Sequence, residues 1–133
     1  YIHIMDKPKL TDDAGMLANL FRIRGHRNYT GKVNVFTEDD ILKLDELEFD
    51  VLETPGHTSG CGSYIFDDTI ISGDTLFCES YGRTDFPTGD DAEMAKSIRK
   101  LKNLEGDYRV IPGHGPTTTL DHERKYNPLM RIL

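Results

Sequence analysis

The chain has 133 residues, 37% of them apolar and 29% charged, with a formal net charge of −7. That length suits one domain, or a large part of one, and is too short for two ordinary ones. A spread-out negative charge argues against nucleic acid as a partner, because phosphate binding needs a basic surface, and no long apolar run is present to span a membrane. Two cysteines, Cys61 and Cys78, with no C-x-x-C spacing, indicate neither a disulfide framework nor a thiolate zinc site, which fits a reducing, cytoplasmic setting.

In chain order, Tyr1 to Ile4 reads as a strand, and a start inside a strand, without methionine, predicts processing or truncation. Asp12 to Leu20 is expected to form a short helix, followed by an irregular excursion from Phe21 to Lys32. There Arg22, Arg24, His26, Arg27 and Lys32 lie among Phe21, Ile23 and Tyr29. This mixture suits contact with an anionic group, but it reads more simply as a solvated loop. From Ile41 the pattern is β: Ile41 to Leu44, Glu48 to Thr54 with Phe49 and Val51 on one face, and Cys61 to Phe66 with Tyr64 and Phe66 in phase. Asp67 and Asp68 turn the chain into Thr69 to Ser72, so consecutive strands are expected to pair mostly antiparallel. A helix starts at the N-cap Asp90, with Glu93 three residues on and Met94, Ile98, Leu101 and Leu104 along one stripe, and ends near Gly106. Tyr108 to Ile111 is then a strand, and Leu120 to Tyr126 a last short helix. Strands followed by helix, strand and helix imply an α/β layered domain, α+β by strand order.

Three turns carry chemistry: Thr54-Pro55-Gly56-His57-Thr58-Ser59-Gly60, Ser72-Gly73-Asp74-Thr75-Leu76-Phe77, and Pro112-Gly113-His114-Gly115-Pro116. Each follows a predicted strand, where a rigid scaffold presents functional groups. Glycine and proline neighbours fix the backbone around each imidazole, so His57 and His114 can be aimed with small entropic loss. A carboxylate has two oxygens and can bridge two ions ~3.5–4 Å apart, so Asp74 between two such histidines suggests part of a two-metal site. Nitrogen and oxygen donors without thiolate match zinc.

The succession T-P-G-H-T-S-G, S-G-D-T-L-F, G-R-T-D-F at Gly82 to Phe86 and P-G-H-G-P resembles the C-terminal part of the metallo-β-lactamase superfamily, nearest its glyoxalase II-like hydrolases. Thr117-Thr118-Thr119 followed by Glu123 and Asn127-Pro128 is similar to the end of such proteins. The resemblance implies an αββα sandwich, here only in its C-terminal portion over residues 1–133. It also implies two metal ions, zinc first and iron or manganese as substitutes, held by an upstream H-x-H-x-D-H motif, two later histidines and a bridging aspartate. By that mapping His57 belongs to one metal, His114 to the other, and Asp74 bridges them. The motif itself is absent: His3-Ile4-Met5-Asp6 lacks its later histidines, and His3, His26 and His122 read as ordinary surface or partly buried residues. Arg83 is then expected to contact an anion and Asp85 to orient a ligand, with a surface ion pair as the alternative.

The implied reaction is hydrolysis of an ester or thioester, hydroxyacylglutathione-like, by metal-bound hydroxide, with Asp74 as the catalytic bridge. The alternatives are an iron-dependent persulfide dioxygenase, which G-R-T-D-F also resembles, and a non-catalytic truncated fragment. With one histidine per metal the isolated chain is expected to be inactive, and its uncovered sheet face to drive self-association.

Overall fold

The computed structural model describes residues 1–11 and 29–133. The expected helix Asp12 to Leu20 and most of the basic excursion, with Arg22, Arg24, His26 and Arg27, lie outside the described residues. Ten strands and three α-helices are assigned among those described. The strands are β1 (Ile2–His3), β2 (Val35–Phe36), β3 (Ile41–Leu44), β4 (Leu47–Glu53), β5 (Gly62–Phe66), β6 (Thr69–Gly73), β7 (Leu76–Phe77), β8 (Ser80–Tyr81), β9 (Arg109–Pro112) and β10 (Thr118–Thr119). The helices are α1 (Asp91–Lys102), α2 (Leu120–Tyr126) and α3 (Pro128–Ile132), and a single 3₁₀ turn covers Lys7–Leu10.

A six-stranded sheet in the order β10-β9-β6-β5-β4-β3 forms the frame. As expected, β3 to β6 pair antiparallel in succession, but β9 returns parallel to β6 through the crossover helix α1. The two-residue strands β2, β7, β8 and β10 and helix α3 were not predicted, and α1 stops at Lys102 rather than near Gly106.

Side-chain alternation divides the sheet into two faces. Ile70 pairs with Ile65 and faces α1, α2 and α3, where Met94, Ile98, Leu101, Val110, Leu120 and Met130 complete a core from which water is excluded. Each of these side chains contributes about 1.5–3 kcal/mol by leaving water. The N-cap of α1 forms as expected, Asp90 Oδ1 accepting the Glu93 amide at 2.8 Å, and Asn127 Oδ1 caps α3 by accepting the amides of Leu129 and Met130.

The opposite face carries Phe49 and Val51 of β4, Tyr64 and Phe66 of β5, and Ile71 of β6, in one register. Against it sits a second, parallel sheet of β1 and β2, Phe36 packing edge-on to Tyr64 at 6.0 Å. This small sheet leaves an apolar hollow of ≈ 290 Å³ bounded by Tyr1, Leu42, Leu44, Phe49 and Ile71 among others. His3 is buried rather than at the surface, its Nε2 2.7 Å from Glu53 Oε1. The fold is therefore a mixed α/β layer structure in which, among the described residues, one sheet face is covered by helices and the second only in part by β1 and β2. No helix among the described residues is long and apolar enough to cross a membrane.

Candidate metal centre at the ends of three strands

Strands β4, β6 and β9 run in the same direction, so the loops at their C-terminal ends open on one edge of the sheet. His57 lies in the loop after β4, Asp74 directly after β6, and His114 two residues after β9. The three residues singled out in the sequence are thus brought together. His57 Nε2 is 3.6 Å from Asp74 Oδ2, and His114 Nε2 is 3.5 Å from Asp74 Oδ1. Each carboxylate oxygen faces one imidazole.

Those separations are too long for hydrogen bonds, which close to about 2.7–3.2 Å. They match the edge between two ligands on one ion: with bonds of about 2.0–2.2 Å at a tetrahedral angle, nitrogen and oxygen stand roughly 3.4 Å apart. A second observation points the same way. Asp74 Oδ1 is buried with no hydrogen-bond partner, and an orphaned carboxylate oxygen costs about 1–3 kcal/mol or more unless something else occupies it. The donor set and its spacing therefore fit a pair of borderline divalent ions, with Asp74 between them.

Backbone contacts that carry no sequence signature set this geometry. The Gly113 amide donates to Gly73 O at 2.7 Å, locking the His114 loop against the Asp74 loop. A Cβ on Gly113 would lie 2.4 Å from Asp74 Oδ1, and one on Gly82 would lie 1.8 Å from Asp74 O, so both positions exclude any larger residue. Beneath the loops, Thr54 Oγ1 is 3.0 Å from Ser63 Oγ and 3.1 Å from Thr75 Oγ1. These buried hydroxyls tie the strand end before His57 to the residue after Asp74.

The orientation of His57 is fixed by an unpredicted group. Its Nδ1 donates to the Arg83 carbonyl oxygen at 2.8 Å, leaving Nε2 for Asp74 and the cleft. Asp85 forms the ion pair with Arg83 that was the alternative to an orienting role: Nε and Nη2 each donate to the carboxylate at 2.6 Å. This exposed ion pair holds the Asp85 carboxyl at about 2, the Arg83 hydrogen bonds being the main cause. The guanidinium also lies 4.0 Å above the Phe86 ring. The remaining walls are aromatic, Phe86 edge-on to His57 at 5.9 Å and Phe77 edge-on to His114 at 6.0 Å. Together with Ser80, Tyr81 and Gly82 they enclose a cleft of ≈ 580 Å³ with His57, Asp74 and His114 on its floor.

The model of the metallo-beta-lactamase superfamily matches residues 1–114. Hydroxyacylglutathione hydrolase GloC of Haemophilus influenzae is 44% identical over 96 residues, covering 70% of this chain and 45% of that protein. Among solved structures, the BLEG-1 B3 metallo-beta-lactamase superposes with a TM-score of 0.83 at 35% identity, over 98% of this chain and 64% of that one. TTHA1623, solved in a di-iron-bound form, superposes at 0.80 and 33% identity, over 96% and 63%. The chain spans under two thirds of the length of each of these proteins.

Proposed function

Because the chain belongs to the metallo-β-lactamase superfamily, we propose that His57, Asp74 and His114 are its share of a two-metal centre for hydrolysis of an ester or thioester, of the hydroxyacylglutathione class. The observation that carries this reading is the unpartnered Asp74 Oδ1, set at ligand-edge distance from His114 while Oδ2 stands at the same distance from His57. When bound, the ions lower the pKa of a water to about 7 and polarise the substrate carbonyl.

The chain's own residues perform the positioning. Donation from Nδ1 to the Arg83 carbonyl sets the tautomer in which His57 Nε2 is free to ligate. Asp74 turns one oxygen toward each imidazole, and Phe86 and Phe77 pack edge-on against His57 and His114. Arg83, held by Asp85, contacts a substrate carboxylate only by exchanging one acid for the other.

Zinc takes four ligands, and these three residues would offer each ion one histidine nitrogen and one oxygen of the Asp74 carboxylate. The other ligands therefore come from outside this set, and residues 1–133 alone are expected to bind metal weakly and not to turn over. The relative GloC supports the thioester class, and the di-iron form of TTHA1623 supports iron as a substitute for zinc. The test is hydrolysis of a hydroxyacylglutathione by a chain of the relatives' full length carrying these residues, with Asp74→Asn alongside. The reading predicts turnover that falls to the buffer rate in the variant. Oxygen consumption with one bound iron and no hydrolysis would replace it with the dioxygenase reading.

A further inference from the structure

A second group of ligating side chains lies behind the cleft wall, where the turn between β7 and β8 meets the first turn of α2. Cys78 and Glu79 form that turn, and His122 and Glu123 lie more than forty residues further along the chain. The ligand atoms of Cys78, His122 and Glu123 all lie within 4.8 Å of one another. From the geometry we infer that these three residues form a metal site separate from the Asp74 centre, taking a borderline divalent cation of the zinc type.

Each member has the capacity the role requires. Cys78 is a free thiol, and a thiolate beside imidazole and carboxylate selects zinc over magnesium or calcium. His122 Nε2 is 3.0 Å from Glu79 Oε1, and its ring packs on Tyr126 at 4.7 Å, so its orientation is already set. Metal-binding histidines commonly donate the second ring nitrogen to a carboxylate in this way, which assigns Nδ1 as the ligand atom and Glu79 as its positioning residue. Glu123 accepts three hydrogen bonds: Thr118 Oγ1 on Oε1, and the Glu79 amide and Asn127 Nδ2 on Oε2. A carboxylate offers about four lone-pair sites, so one remains on Oε1.

Ligands of one tetrahedral zinc stand roughly 3.3–3.8 Å apart, so binding draws the group in by about an ångström. The element drawn in is the β7–β8 hairpin, whose Phe77, Ser80 and Tyr81 line the cleft. An ion here would clamp that wall onto α2. Loading displaces the Cys78 thiol proton to solvent, so affinity rises with pH.

Cobalt(II) titration of the 133-residue protein tests this independently of hydrolysis. The expected result is a thiolate-to-cobalt charge-transfer absorption saturating at one ion per chain. The band should be lost in Cys78→Ser and Cys78→Ala but kept in Cys61→Ser and in Asp74→Asn, the last separating this site from the cleft. Glu79→Gln should weaken cobalt binding roughly 10–100-fold. Absence of the band in the parent protein, its survival in Cys78→Ser, or its loss in Asp74→Asn would overturn the assignment.

Discussion

Asp74 and the two glycines packed on it set the tolerance of the centre. Gly113→Ala drives a methyl group into Asp74 Oδ1, and overpacking of this kind costs about 1–3 kcal/mol. The expected outcome is a lower urea midpoint together with loss of metal affinity, whereas Gly106→Ala, which meets nothing within 4 Å, should leave metal affinity unchanged. At Asp85 the prediction concerns pH. Its folded value is depressed, so the Arg83 pair contributes stability above the ordinary carboxylate range and loses it as pH falls toward about 2. A carboxyl carbon NMR titration should place the Asp85 midpoint near 2, and Arg83→Ala should return it to about 3.9. His57, Asp74 and His114 were legible in the sequence because glycine and proline mark the turns that hold them. The Arg83 carbonyl was not, since a backbone acceptor is the same in every residue, and neither was the Thr54, Ser63 and Thr75 hydroxyl set, which only the sheet brings together.

Among the elements, α1 and the strands β3 to β6 followed from periodicity and capping, because each is long enough to show a period. Strands β2, β7, β8 and β10 have two residues each and carry no period at all. Their existence depends on partners elsewhere, as in the β7–β8 hairpin held to α2 by Glu123 and Asn127, the latter donating to Ser80 O at 2.9 Å. Removing the N-cap of α1 with Asp90→Ala should cost about 1 kcal/mol in urea denaturation. Glu123→Ala strands a buried amide and two further donors, so it should cost at least about 2 kcal/mol and loosen the hairpin, read as faster amide exchange at Phe77 and Tyr81.

At the scale of the molecule, among the described residues, one sheet face packs a closed core under three helices while the other exposes part of an aromatic and aliphatic surface. Leu44 and Leu47, opposite each other on that face, remain 62% and 40% exposed beside the hollow under Tyr1. Contiguous apolar surface of this kind drives association. Sedimentation should show concentration-dependent self-association of the 133-residue chain, reduced by Leu44→Lys; a monomer at all concentrations would contradict it. The parity of Phe49, Val51, Tyr64 and Phe66 made this face visible in the sequence, but its partial cover was not, because the pairing of Ile2 and His3 with Val35 and Phe36 joins segments more than thirty residues apart.

In the proposed centre Asp74 joins His57 and His114 through metal ions rather than through hydrogen bonds. Addition of cobalt(II) while following the imidazole resonances tests it most directly. Paramagnetic shifts of both His57 and His114 are expected in Cys78→Ser, where cobalt has no thiolate site to occupy, and loss of both when Asp74→Asn is added, a change that keeps the side chain's shape but gives up one ligand oxygen and the negative charge. Unshifted histidines in Cys78→Ser, or shifts that persist in Cys78→Ser with Asp74→Asn, would contradict it.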